Sequence, residues 1–104
     1  IEKVILIRIG KETNGTNLKL VLEGRLDTRT APQLEEELKE ALNGVTELDF
    51  DINALQYFSS AGLRVLLSAQ KVMNKQGEMK LIHVNEVINE IFEVTGFSDI
   101  LTIE

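Results

Sequence analysis

Two adjacent serines followed by two small residues, Ser59-Ser60-Ala61-Gly62, precede an apolar run that opens at Leu63. Hydroxyls at such a place have two uses. Ser59 or Ser60 can cap the following helix by accepting the free amides of its first turn, with Gly62 permitting close packing. Either hydroxyl is also a place where a phosphate would be well received, because free N–H groups and the helix dipole favour an anion there. Such a phosphate would add charge at one point without unfolding the helix. The two uses are compatible. A second candidate is Gly24-Arg25-Leu26-Asp27, between a strand pattern and a helix pattern. That order puts it near the same end of a sheet as Ser60. Gly24 fits a turn with positive φ, and Asp27 fits a side-chain tie across that turn.

The remaining titratable residues carry less. Asp49 and Asp51 lie two apart and share a strand face, where solvation is the simpler account in so acidic a chain. His83 ends an apolar strand with no second histidine to join it, which fits a structural role. There is no cysteine, so disulfide scaffolds, thiolate metal sites and thiol nucleophiles are excluded. No phosphate-binding glycine loop, dinucleotide fingerprint or nucleophile elbow is present. The expectation is a chain with no cofactor, no metal and no enzymatic activity of its own. Its formal charge of −6 argues against nucleic acid or an anionic membrane as partner. No apolar run approaches a membrane span and no signal peptide is visible, so a cytoplasmic domain is expected. Ile1 in place of a Met points to a few residues missing in front.

The elements that must position these residues follow from periodicity. Val4 to Ile9 is a β-branched run that reads as a strand, and the polar stretch from Lys11 to Asn17, with Asn14-Gly15 inside it, reads as a hairpin connection. Leu18, Leu20 and Leu22 alternate with polar neighbours in the return strand, which Gly24 closes. Thr30, Pro32 and Gln33 form a Thr-x-x-Gln capping box for a first helix, buried through Ala31, Leu34, Leu38, Ala41 and Leu42 and stopped at Gly44. Val45 to Ile52 reads as a strand, and Asn53 to Phe58 as the connection to a second helix over Leu63 to Asn74. That helix is buried through Leu63, Leu66, Leu67, Ala69, Val72 and Met73. Met79 to Val84 reads as a strand. Asn85 caps a third helix that runs through Val87, Ile88, Ile91, Phe92 and Val94 to Gly96, and Ile100 to Ile103 reads as a short closing strand. Strands alternating with helices imply right-handed crossovers and a partly parallel sheet, made mixed by the opening hairpin. Partner sites on such sheets lie beyond the carboxyl ends of the strands.

Gly24-x-Leu26-Asp27 followed by Thr30-Ala31, and Asp51-Ile52-x-x-Leu55-x-Tyr57-Phe58-Ser59-Ser60-x-Gly62-Leu63, resemble the STAS domain of bacterial anti-sigma-factor antagonists. The resemblance spans nearly the whole chain in the same element order, including the helix that ends at Gly96-Phe97. It implies an α/β fold: a single STAS domain over residues 1–104, with a mixed β-sheet of four to five strands and three main helices. It also implies a function. Such a chain, also termed an anti-anti-sigma factor, is a non-enzymatic module that binds an anti-sigma factor which is itself a serine kinase. Binding releases sigma factor and so regulates transcription; phosphorylation of the antagonist switches it off, and a PP2C-type phosphatase resets it. Register against Gly62-Leu63 makes Ser60 the phosphoacceptor, with Ser59 the alternative. The implied contact surface is Asp27, Ser59, Ser60 and Gly62, with Arg64 at its edge. Family members often carry Asp before the acceptor and a second hydroxyl after it, where this chain has Ser59 and Ala61. The competing implication is a constitutive, unphosphorylated STAS subunit of a transporter or other signalling complex. A monomer or weak dimer is expected.

Overall fold

The computed structural model describes residues 6–104, so the strand expected at Val4 and Ile5 lies outside the described residues. The chain runs β1 (Ile7–Asn14), β2 (Asn17–Leu26), α1 (Ala31–Ala41), β3 (Glu47–Phe58), α2 (Ser60–Met73), β4 (Glu78–Ile82) and α3 (Glu86–Thr95), then a 3-10 turn, Phe97–Asp99. The strands form one sheet in the order β1-β2-β3-β4. β1 pairs antiparallel with β2, while β2–β3 and β3–β4 are parallel, so the sheet is mixed as its element order requires. Leu18, Leu20 and Leu22 of β2, Leu48, Phe50 and Ile52 of β3, and Met79 and Leu81 of β4 are buried, whereas Lys19, Asp49 and Asp51 between them are not. Two successive right-handed crossovers step the same way across the sheet, which puts α1 and α2 on the same face of it. Leu34 and Leu38 of α1 and Leu66, Ala69 and Met73 of α2 close the core there.

Several boundaries differ from the sequence reading, each for a physical reason. The polar stretch at Lys11 is mostly strand. β1 continues to Asn14, opposite Asn17, and only Gly15 and Thr16 turn. An edge strand tolerates polar residues, and Lys11 reaches across to Glu37 of α1 at 2.6 Å. The expected connection from Asn53 to Phe58 is also strand. Register shifts in the β2–β3 ladder between Val21 and Glu23 and between Gly24 and Arg25 change which side chains face the core. The buried positions there become Ile52, Leu55 and Phe58, three apart rather than two, so the pattern no longer reads as a strand. α2 starts at Ser60 rather than at Leu63, since its first turn is built of small residues with no apolar stripe to show.

The capping box at Thr30 does not form. Thr30 is buried, and its hydroxyl donates to the Arg25 carbonyl at 2.7 Å and accepts from the Asp27 amide at 2.9 Å, so it closes the preceding loop and not the helix. Asn85 does cap α3, accepting from the Ile88 amide at 2.8 Å, and its amide group also donates to the carbonyls of Asn53 and Leu55 on β3. The closing strand at Ile100 to Ile103 shrinks to one bridge, between Ile103 and Leu81. Val72, expected in the buried stripe of α2, is exposed at 42%. His83 has the structural role expected: at φ 55°, its Nδ1 lies 2.9 Å from the Asp51 carboxylate.

Candidate functional site

β2 and β3 are parallel neighbours, so their carboxyl ends leave the sheet side by side. Arg25 pairs with Tyr57 and Leu26 with Phe58 at the last positions of the ladder. The next link is the Ser59 amide, which donates to the Leu26 carbonyl at 2.9 Å. α2 then begins with Ser60, and its first turn rests on the end of β2. A methyl group at position 62 would sit 2.6 Å from Leu26 Cγ, so only glycine lets the helix come this close. At the other side of the loop, Gly24 takes φ 102° and lies against the Leu6 carbonyl, where any side chain would collide. The two motifs found in the sequence are thus brought together by the backbone itself.

Within this cluster the two serines differ. Ser60 is exposed at the first position of α2. Ser59 is extended (φ −109°, ψ 174°), and its Oγ is buried without a hydrogen-bond partner. The side-chain cap expected at this helix is therefore not made by Ser59. Gly62 is buried and Arg64 is exposed.

Asp27 is the organising side chain of the loop. Its Oδ1 accepts from the amides of Arg29 (3.0 Å) and Thr30 (3.2 Å), while its Oδ2 lies 3.4 Å from Arg25 Nε. Its side chain is only 13% exposed. Partial burial pushes its pKa up, but the amides of Arg29 and Thr30 and the two guanidinium charges outweigh that and hold it below 3.8. Arg25 in turn lies over the Tyr57 ring, 4.6 Å from its centroid. The carboxylate is thus committed to the loop and is not free to act as a base for Ser60. Chemically the site is an exposed hydroxyl at the first position of α2, beside the loop that Asp27 holds. Sequence reasoning singled out Asp27, Ser59, Ser60, Gly62 and Arg64; Arg25 and Tyr57 stood inside its two motifs without a role, because their pairing depends on β2 and β3 lying side by side. Among the described residues no helix is long and apolar enough to cross a membrane, and no group of three or more His, Asp or Glu could hold a metal ion.

Comparison with known proteins shows the family and the fold. Residues 8–104 match the STAS domain family. BtrV of Bordetella bronchiseptica, provisionally named an anti-sigma factor antagonist, is 38% identical over 79% of this chain and 72% of its own length. The anti-sigma-B factor antagonist of Listeria monocytogenes is 31% identical over 90% of this chain and 84% of its own. In fold the chain is similar to the anti-sigma factor antagonist SpoIIAA in its unphosphorylated form, with a TM-score of 0.77 at 17% identity over 93% of this chain and 88% of SpoIIAA. The phosphorylated form of Bacillus SpoIIAA superposes with a TM-score of 0.69, at 17% identity over 93% of this chain and 91% of that one.

Proposed function

The chain belongs to the STAS domain family, and we propose that it is an anti-sigma-factor antagonist, switched off by a phosphate on Ser60. Residues 1–104 act as one domain in the cytoplasm. Unphosphorylated, it binds an anti-sigma factor that is also an ATP-dependent serine kinase, and sigma factor is released. The kinase brings ATP and Mg²⁺, this chain is its substrate and not a catalyst, and a PP2C-type phosphatase restores the binding form. Ser60, with Asp27 and Ser59 beside it, forms the centre of the contact surface and Arg64 its edge, while Gly62, expected in that surface, is buried against Leu26 and sets the spacing beneath it.

The observation that carries this reading is the exposed Ser60 hydroxyl at the start of α2, held against the Asp27 loop by the Ser59–Leu26 hydrogen bond and the Gly62–Leu26 contact. Relatives 30% identical or more carry the antagonist name, and a protein of the same fold is known in both unphosphorylated and phosphorylated forms. Exposure favours Ser60 over Ser59 as acceptor, because the Ser59 Oγ is buried. A phosphate at Ser60 would present about −1.5 to −2 of charge to a partner surface built for a neutral hydroxyl. A penalty of about 3 kcal/mol weakens binding roughly a hundredfold. Calorimetric titration of wild type, Ser60→Ala and Ser60→Asp against the cognate anti-sigma factor tests the switch. Wild type and Ser60→Ala should bind tightly and Ser60→Asp poorly, with circular dichroism unchanged. Equal affinities for all three would leave the constitutive-subunit reading instead.

A further inference from the structure

The chain has four arginines, and three of them, Arg25, Arg29 and Arg64, lie in the end of β2, the loop after it and the opening of α2, segments that the Ser59–Leu26 hydrogen bond joins beside Ser60. In a protein of net charge −6 this is a local reversal of sign. All three side chains are exposed, and Asp27 is the acidic side chain set among them. Arg25 is held by the Tyr57 ring at 4.6 Å and by a long 3.4 Å contact to Asp27 Oδ2, a geometry too loose to commit the guanidinium fully. Arg29 is fixed at its backbone, whose amide is bound by Asp27, while its side chain stays in solvent. Arg64 is four residues beyond Ser60 on α2, and residues so spaced are surface neighbours on a helix.

We propose that Arg25, Arg29 and Arg64 form a receptor, within the same chain, for the phosphate carried by Ser60. The inference rests on Ser60 being the acceptor, as argued above. Guanidinium groups suit this use because their planar fork meets two phosphate oxygens at once. Asp27 does not oppose it strongly, since its carboxylate is already engaged by two amides and by Arg25. Phosphorylation then changes the surface twice. It adds a dianion at Ser60 and withdraws three cationic side chains from whatever they met before. The modified domain is a distinct folded state with its phosphate held in place, and not the same surface with a loose charge attached.

The test needs no kinase. Phosphoserine is installed at position 60 during synthesis, and the second ionisation of the phosphate is followed by phosphorus NMR in the folded protein and in urea. In urea the pKa should be the ordinary value of about 6. In the folded protein the arginines and the helix N-terminus together should lower it by about 1 unit, the small end of the range for a nearby opposite charge. Arg64→Gln should recover part of that shift, and substitution of all three arginines by Gln at least half of it, the rest belonging to the helix N-terminus. Arg64→Lys should lie between wild type and Arg64→Gln. The proposal is overturned if the folded wild type shows no shift, or if the triple variant retains more than half. Arg64→Gln alone, on an exposed helix surface, reports even if the triple variant does not fold. A shifted phosphate that leaves affinity for the anti-sigma factor unchanged would sink the switch and leave the receptor standing.

Discussion

Gly62 of α2 sits directly on Leu26 of β2, so close that a methyl at position 62 would lie 2.6 Å from Leu26 Cγ and 2.8 Å from its Cδ2. Leu26 is fully buried and cannot simply swing aside. This one contact sets how near the start of α2 comes to the Asp27 loop, and so sets the spacing of the site. Alanine is favoured over glycine in a helix by about 1 kcal/mol, but overpacking costs about 1–3 kcal/mol. Gly62→Ala should therefore lose about 1 kcal/mol in urea unfolding. Adding Leu26→Ala should remove the clash, and a double-mutant cycle should give a coupling of at least about 0.5 kcal/mol. Additive effects would show that the contact is not the constraint.

Asp27 holds its loop through acceptor oxygens, so charge and structure can be separated there. Asn keeps an oxygen for the amides of Arg29 and Thr30, and Asp27→Asn should stay within about 1 kcal/mol of wild type. Asp27→Ala strands both amides and should cost about 1–2 kcal/mol. If the carboxylate also meets the partner, Asp27→Asn weakens binding about tenfold, or about 1.4 kcal/mol. Chemical denaturation and calorimetry on the two variants distinguish a turn residue from a contact residue.

Ser59 carries a buried hydroxyl without a partner, which costs about 1–3 kcal/mol in desolvation. Removing it should cost nothing. Ser59→Ala is expected to melt at the same temperature or up to about 4–8 °C higher, the shift that about 1 kcal/mol makes in a domain this size. Phosphopeptide mapping of that variant should still find the phosphate at Ser60. A clear loss of stability would mean that the hydroxyl does useful structural work.

Asp51 links the middle of the sheet to the end of β4. Partial burial raises its pKa, but the His83 hydrogen bond, the Asn53 amide and the charges of His83 and Lys19 prevail and hold it below 3.8. A carboxylate with a lowered folded-state pKa stabilises above its unfolded value, and that contribution is lost as pH falls through the folded one. Stability of the wild type should therefore drop as the pH falls below about 4, and the shift of Asp27 adds in the same direction. Asp51→Asn should be less stable at about pH 5 and should show a shallower acid loss in urea melts. A slope equal to that of wild type would rule out Asp51 as a contributor.

The residues alone determined the element order, the mixed sheet, and the two motifs with Ser60 and Asp27 in them. Alternation in Leu18-Leu20-Leu22 and Leu48-Phe50-Ile52, and the Asn85 and Gly96 boundaries of α3, are local signals, and local signals survive folding. Tertiary structure decided what depended on partners far along the chain. Bulges in the β2–β3 ladder carried β3 through Asn53 to Phe58 at a spacing that no strand pattern matches. Thr30 exchanged its expected cap for the Arg25 carbonyl because burial left it that acceptor. Burial also separated Ser59 from Ser60, two identical side chains that the sequence ranked only by their register against Gly62-Leu63. The approach of the loop carrying Arg25 and Arg29 to the start of α2, where Ser60 and Arg64 lie, required β2 and β3 to be parallel neighbours, joined at their ends by the Ser59–Leu26 hydrogen bond.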